Sequence, residues 1–108
     1  MQVVLKKSEA VEPYTFRFTK DDGVILKSEN YKAKKSAQNG VESVRKNSQV
    51  ESRYELKESK NGKFFFNLKA SNGQVVGTST LFASQEDRDS AIELLKSDAP
   101  QAELIDEA

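Results

Sequence analysis

The chain has 108 residues, a length that suits one domain and is too short for two independent cores. It contains no Cys and no His, which excludes disulfides, thiolate nucleophiles and zinc–thiolate sites and removes the commonest general base and metal ligand. We therefore predict no catalytic residues, no cofactor and no metal site, although a carboxylate cluster would still suit Ca²⁺ or Mg²⁺.

The formal net charge is zero, but the two halves of the chain carry opposite charge. Residues 1–50 contain ten Lys and Arg against six Asp and Glu, a net charge of +4, and residues 51–108 contain seven against eleven, a net charge of −4. Drift on a solvated surface explains this split, and so does a molecule with one basic working face. We favour the first explanation.

The N-terminal sequence lacks the apolar core of a signal peptide, and no segment is apolar over the length needed to span a bilayer. These two features favour a cytoplasmic protein.

The first half of the chain predicts three strands and a helix. Strands are expected from Gln2, over residues 14–19 and over residues 24–28, with a turn at Asp21-Asp22-Gly23. The helix is expected over residues 34–46.

This first helix has poor start signals. Ala33 is a weak N-cap, Lys34 and Lys35 oppose the helix dipole, and Gly40 costs about 1 kcal/mol in a helix interior. We therefore predict that its N-terminus frays more readily than that of the second helix.

The second half predicts three strands, a helix and a final strand. The strands are expected over residues 54–56, 63–69, 74–78 and 102–106. Asn61-Gly62 predicts a hairpin, because both residues accept the positive φ of a type I′ turn. Ser84, with Asp87 three residues later, is a variant of the capping box, and Pro100 marks the end of the helix.

The two halves are copies of one unit at a spacing of about fifty residues. Leu5-Lys6-Lys7-Ser8 recurs as Leu56-Lys57-Glu58-Ser59, and the strand at residues 14–18 recurs at residues 64–68. Further along, a second set of residues, Ser28, Tyr31, Val41 and Val44, matches Ser79, Phe82, Ile92 and Leu95.

These copies predict an α+β fold of two tandem β-β-β-α-β repeats, about residues 1–51 and 52–108, which form one mostly antiparallel sheet with two helices packed on one face. A single domain of residues 1–108 is expected, because each repeat is near the lower size limit for folding alone. The offset matches residues 102–106 to residues 51–55, so we expect one long strand over residues 51–58. Since the second copy takes the place of a partner subunit, we expect a monomer.

Two stretches of this sequence resemble signatures of the YegP-like family of small bacterial proteins. They are residues 62–76 (GKFFFNLKASNGQVV), and residues 28–31 (SENY) followed by residues 36–47 (SAQNGVESVRKN). The resemblance covers nearly the whole chain. It implies units of three strands, a helix and a strand that exchange their last strands, and it implies no activity, because the family has no established biochemical role.

The second copy departs from the family pattern, with Phe82 in place of Tyr and Ser90-Ala91 in place of Asn-Gly. If the family residues contact a ligand, only Tyr31, Asn39 and Gly40 of the first copy keep them. The alternative is that Gly40 allows close packing of the helix on the sheet, and we favour this interpretation.

The first helix and one sheet position give a second candidate site, for nucleic acid. Its residues would be a basic patch and one exposed aromatic ring: Lys32, Lys34, Lys35, Arg45, Lys46 and Phe65, with Arg17 and Asn67 as neighbours of the ring. A solvated basic face is the simpler interpretation.

The sequence lacks a nucleophile elbow and a phosphate-binding loop. Our leading hypothesis is a non-enzymatic module that binds an unidentified macromolecule or has a structural role, and nucleic-acid binding is the alternative.

Overall fold

The computed structural model describes residues 1–21 and 23–108, so Asp22 of the predicted turn lies outside the described residues. The elements are β1 (Gln2–Lys7), β2 (Tyr14–Lys20), β3 (Gly23–Ser28), α1 (Lys34–Asn47), β4 (Tyr54–Glu58), β5 (Phe64–Lys69), β6 (Val75–Ser79), α2 (Gln85–Asp98) and β7 (Glu103–Glu107). Short 3₁₀ helices, Glu51–Arg53 and Ala99–Gln101, precede β4 and β7. The predicted α+β class and the two repeats are confirmed.

The strands form one sheet in the order β4-β5-β6-β3-β2-β1-β7. Neighbouring strands are antiparallel except β1 and β7, which run parallel with Val3 opposite Leu104 and Leu5 opposite Asp106. The central β3·β6 pair joins the two repeats, so β4, β5 and β6 are related to β1, β2 and β3 by a pseudo-two-fold axis.

One face of the sheet carries the core. Side chains alternate between the two faces of a strand, and Phe16, Phe18, Phe66 and Leu68 of β2 and β5 are fully buried. They belong to one apolar cluster with Val41 and Val44 of α1 and with their equivalents in α2, Ile92 and Leu95. Both helices therefore pack on the same face, as the repeats predict.

In each repeat, an equivalent serine at the end of the third strand forms a hydrogen bond with the backbone of the second strand. Ser28 Oγ accepts a hydrogen bond from the Phe16 backbone N–H (2.9 Å) and donates to a neighbouring carbonyl. Ser79 Oγ accepts from the Phe66 backbone N–H (3.0 Å) and donates in the same way. The matched serines of the sequence therefore perform the same task in both copies.

The helix start signals behave as predicted from the sequence. At the start of α2, Ser84 Oγ accepts a hydrogen bond from the Asp87 backbone N–H (3.1 Å), whereas Ala33 gives α1 no side-chain cap. The helix α2 ends two residues before Pro100. Greater fraying of α1 stays a prediction.

The predicted hairpin at Asn61-Gly62 is confirmed, because β4 and β5 pair antiparallel, but its turn is not the predicted type I′. Gly62 has φ +80°, but Asn61 does not have a positive φ. The loop is closed by hydrogen bonds from the Ser59 N–H to the Lys63 carbonyl (2.7 Å) and from the Gly62 N–H to the Ser59 carbonyl (3.1 Å). These bonds enclose a three-residue loop, in which a single glycine takes the left-handed conformation.

The prediction of one long strand over residues 51–58 is also wrong, because Glu51–Arg53 form a 3₁₀ turn and β4 begins at Tyr54. The reason is topological. At the offset of the repeat, β7 corresponds to residues 52–56, which largely coincide with β4 itself. One segment cannot occupy two positions in a sheet, so the chain turns and enters β4. The position beside β4 that corresponds to β7 holds no strand of the described chain.

Candidate functional site

Tyr31 and Gly40 pack against each other in the first repeat. The backbone of Tyr31 is joined to that of Tyr14 by two hydrogen bonds, and its ring stacks on Phe16 with the centroids 6.2 Å apart. A Cβ atom at Gly40 would lie 2.6 Å from Tyr31 Oη, so the missing side chain leaves space for the hydroxyl. Burial, and to a smaller extent the charge of Glu29, raises the pKa of Tyr31. The protein's own side chains fill this position.

The second repeat keeps the same arrangement with two compensating changes. Phe82 pairs with Phe64 through two backbone hydrogen bonds, as Tyr31 does with its own partner strand. Phe82 lacks a hydroxyl, and Ala91 supplies a methyl group where the first repeat has Gly40. The second repeat thus loses a hydroxyl at Phe82 and gains a methyl group at Ala91, so that the pair fills a similar volume. This compensation supports a packing role for Tyr31 and Gly40 rather than a contact with a ligand.

Asn39 lies elsewhere, in a polar groove of about 400 Å³ beside α1. The wall of this groove contains the buried Asn47, whose side-chain amide donates to the Ser43 carbonyl (2.8 Å) and whose Oδ1 accepts from Arg53 Nε (3.1 Å). The groove follows the last turns of α1, where the helix dipole places partial negative charge. This partial negative charge disfavours the binding of an anion beside Lys46. Several polar groups of the groove are already hydrogen-bonded to one another.

The five predicted basic residues of the first helix do not form one patch. Lys34 Nζ lies 2.7 Å from an Asp106 carboxylate oxygen, and Arg45 donates a hydrogen bond to the Ala102 carbonyl (2.9 Å). Both contacts attach β7 to α1. The remaining three side chains are exposed at the two ends of the helix: Lys32, Lys35 and Lys46.

Phe65 is half-buried on the sheet face that the helices leave uncovered, so the expected exposed ring is only partly available. Asn67 lies on the same face and is hydrogen-bonded to Glu55 (3.0 Å). Arg17 is three strands away, which corresponds to about 14 Å at the usual strand spacing. The basic residues of α1 lie on the opposite face. The structure therefore does not bring the predicted nucleic-acid residues together.

A different candidate site lies at the open edge of β4. We call it the edge site; it is a groove of about 250 Å³ lined by Glu51, Leu56, Asp89, Ile92 and Glu93. No strand of the described chain pairs with the outer edge of β4. Leu56 is 54% exposed, whereas its counterpart Leu5, in the strand covered by β7, is 0% exposed. The repeats thus have the same leucine in one covered and one open position.

The rim of the edge site is acidic. Its three carboxylates belong to Glu51, Asp89 and Glu93. Lys96 forms ion pairs with Glu51 and Glu93, and Arg88 Nε lies 3.3 Å from Asp89. The three carboxylates are exposed to solvent, which weakens these pairs even though Arg88 itself is buried. Three carboxylates against two cations leave the rim with a net negative charge. Burial, followed by the charge of Glu93, raises the pKa of Tyr54, so the field of this carboxylate reaches β4.

The sequence analysis did not identify the edge site, although the repeat alignment contains its signal. Leu5 matches Leu56, and residues 102–106 match residues 51–55. Two equivalent parallel positions therefore had to share a single free C-terminal strand, and one of them had to stay empty.

Within residues 1–21 and 23–108, no group of three or more Asp and Glu is arranged to hold a metal ion. In the same ranges, no helix has the length and apolar character required to cross a membrane.

Known proteins are similar to this chain along most of its length. The model of a family described as a domain of unknown function, DUF1508, matches twice, at residues 12–55 and 59–106. UPF0339 protein PA0329 of Pseudomonas aeruginosa is 54% identical over 85 residues, which are 79% of this chain and 77% of that protein. UPF0339 protein YegP of Escherichia coli is 44% identical over 94 residues, which are 84% and 86% of the two chains.

Two solved structures share the fold. The solution NMR structure of UPF0339 protein SO3888 from Shewanella oneidensis has a TM-score of 0.89 and 39% identity, covering 97% of this chain and 89% of that one. The solution NMR structure of the E. coli protein of unknown function yegP has the same TM-score and identity, covering 98% and 91%. The similarity includes both repeats, and the names of these relatives assign no activity to them.

Proposed function

Since this chain belongs to the family of YegP-like proteins, which its family model describes as a domain of unknown function, we propose from geometry alone that it is a non-enzymatic protein-binding module. It binds an extended segment of a partner protein, which adds to β4 at the edge site. The observation that carries this proposal is the exposure of Leu56 at a sheet position where Leu5 is fully buried.

Strand addition suits the chemistry of this edge. An added strand gains affinity from backbone hydrogen bonds and specificity from pockets for alternate side chains. The outer edge of β4 supplies the unpaired backbone groups, and Leu56 above Ile92 supplies an apolar pocket. Covering the exposed half of Leu56 contributes about 1 kcal/mol.

Proteins usually protect open edge strands with charges. The other edge strand, β7, carries three carboxylates in five residues. β4 also has charged residues, Glu55, Lys57 and Glu58, but it keeps Leu56 exposed between them. β7 also exposes an apolar residue, Leu104, which is 42% exposed. What marks β4 as the binding edge is that Leu56 lines a groove together with Ile92 of α2.

We further propose that the protein acts as a monomer in the cytoplasm. The pseudo-symmetric sheet supports the monomer, because the second repeat occupies the place that a partner subunit would take. A mass by light scattering near twice that of the chain contradicts the monomer, and recovery outside the cytoplasm on fractionation contradicts the compartment.

A random peptide library displayed on phage tests the proposed function. Peptides selected on the native chain are then measured against Leu56→Lys and against Leu81→Lys, a matched control because Leu81 is 56% exposed and lies outside the edge site. We expect at least tenfold weaker binding to Leu56→Lys, unchanged binding to Leu81→Lys, and slowed amide exchange in β4.

The proposal fails if no peptide is selected, or if the selected peptides bind both variants equally. A turnover screen that finds saturable activity, abolished by one surface Ser, Lys or Asp substitution, contradicts the non-enzymatic assignment. Salt-sensitive binding of short oligonucleotides to α1 would instead favour the nucleic-acid alternative.

A further inference from the structure

We infer that the strand bound at the edge site runs parallel to β4 and places an apolar residue and then, two positions later, a basic residue against α2. This inference rests on the proposed function and specifies the partner's segment. The template for it is inside the molecule, because β7 already occupies the equivalent position beside β1.

The register follows from the pseudo-symmetry. In the first repeat, Leu104 lies opposite Val3 and Asp106 lies opposite Leu5, on the face covered by α1. At the repeat offset, the corresponding positions of β4 are Tyr54 and Leu56. A strand bound in the same way places alternate side chains beside these two residues, under α2.

The apolar position follows from packing. Leu104, which is 42% exposed, lies opposite the buried Val3 in the first repeat and extends the apolar row of the sheet beyond β1. Its equivalent in the bound strand would lie opposite Tyr54, next to the apolar floor that Leu56 and Ile92 provide. An aliphatic residue at this position of the bound strand would exclude water from Leu56 and Ile92.

The basic position follows from an inversion of charge between the helices. In the first repeat, the acidic Asp106 is held by Lys34 at the start of α1. At the repeat offset, Lys34 corresponds to the uncharged Gln85, and the acidic Asp89, which lines the edge site, lies about one helical turn further along α2. A long basic side chain that starts beside Gln85 reaches towards this carboxylate and offsets the net negative charge of the rim, whereas the acid of β7 would be repelled.

A second copy of this chain fits the edge site poorly. A second copy offers β7, whose sequence Glu-Leu-Ile-Asp-Glu brings three negative charges to an already acidic rim, or its own β4, which would bring a second acidic rim against the first. The cations near the rim, Lys96 and Arg88, are already paired with rim carboxylates. The charges therefore favour a basic segment of another protein.

Blocked synthetic peptides test the inference directly. The probe is the β7 sequence with its acidic residues replaced, Lys-Leu-Ile-Lys-Lys, and its matched control is the unchanged Glu-Leu-Ile-Asp-Glu. A third peptide, Lys-Ser-Asn-Lys-Lys, keeps the charge and removes the apolar side chains. By amide-resolved NMR titration, we expect the first peptide to bind about tenfold more tightly than either control, with the difference from the acidic control shrinking at high salt.

The direction of the bound peptide relative to β4 is measured with a nitroxide at the N-terminus of the peptide. Parallel binding broadens the amides at the start of β4, near Tyr54, and antiparallel binding broadens those near Glu58. Broadening near Glu58 overturns the inferred direction.

Charge-reversal variants test the partner chemistry. Asp89→Lys combined with Glu93→Lys should reverse the preference towards the acidic peptide. The matched control, Glu9→Lys with Glu12→Lys, reverses two exposed carboxylates outside the edge site and should leave the preference unchanged.

The two proposals fail in distinguishable ways. Library peptides that bind the edge site through Leu56 but show no preference for basic residues overturn this inference and leave strand addition intact. Binding of the basic peptide that is insensitive to Leu56→Lys shows a charge-only contact and overturns the inference as well. Concentration-dependent dimers abolished by Leu56→Lys would identify a second copy as the occupant and overturn it.

Discussion

The two repeats place the same residue types on the same backbone plan, but only the first has its outer edge covered. In the first repeat, β7 lies against β1, and Leu5 is fully buried. In the second, the equivalent edge of β4 is open, and Leu56 is 54% exposed. The helices differ accordingly, with Lys34 facing β7 in α1 and Asp89 lining the open groove in α2. This contrast shows how a duplicated unit acquires an asymmetric surface: two equivalent positions share one C-terminal strand.

The largest expected effect separates the two leucines. Leu5→Ala should lower the free energy of unfolding by about 3 kcal/mol, because it leaves a cavity in a closed core. Leu56→Ala should lower it by less than about 1 kcal/mol, because its side chain is already half in water. Urea denaturation of both variants measures the difference. Equal losses would show that the edge of β4 is covered in the free protein.

A second comparison concerns Gly40 and Ala91. Gly40→Ala should cost about 2 kcal/mol, because the new Cβ meets the Tyr31 hydroxyl and the ring of Phe16. Tyr31→Phe in the same chain should recover part of the loss, since it removes the shortest of these contacts and recreates the Phe82 and Ala91 pair of the second repeat, while the contact with Phe16 remains. A double-mutant cycle measures this coupling. Additive losses would contradict the packing interpretation and reopen a ligand role for Tyr31.

A smaller effect is expected at the helix starts. Ser84→Ala should cost about 1 kcal/mol, because α2 loses the hydrogen bond to the Asp87 backbone. Ala33→Ser should gain up to about 1 kcal/mol by adding the equivalent cap to α1. Amide hydrogen exchange should show faster opening at the start of α1 than of α2 in the native chain. Equal protection of the two helices would refute the prediction that α1 frays more readily.

The smallest expected effect is a loss of β7 stability at acidic pH. The hydrogen bond from Lys34, followed by that from the Ala108 backbone, holds the pKa of Asp106 below its usual range. The ionised carboxylate therefore stabilises the fold above the ordinary Asp pKa of about 3.9, and this contribution is lost as the pH falls through the lower folded-state pKa. Exchange of β7 amides should accelerate in that window.

Asp106→Asn should remove this part of the acid dependence. Glu103→Gln serves as the control, because it removes a charge from the same strand without breaking the contact with Lys34. An unchanged acid response of β7 in Asp106→Asn would show that the ion pair does not hold the strand.

Much of the fold was predictable from local sequence, for physical reasons that particular residues show. The alternation around Phe16 and Phe66, the Ser84 cap and the stop before Pro100 depend only on neighbours along the chain. The repeat alignment then predicted the shared sheet, and the YegP-like resemblance is confirmed. The turn at Asn61-Gly62 was predicted in the wrong class, because the hydrogen bonds of Ser59 set the loop length.

The two repeats, their strands and helices, and the residues of a common core were predictable from the sequence, because they follow from side-chain period and caps. Which copy receives the C-terminal strand was not predictable in this way, since that depends on how a single chain connects two equivalent positions in three dimensions. Because of this connection, Lys34 and Arg45 hold β7 in the tertiary structure while Leu56 and an acidic rim face solvent. The candidate site arises from this choice, which leaves no signal in either repeat read alone.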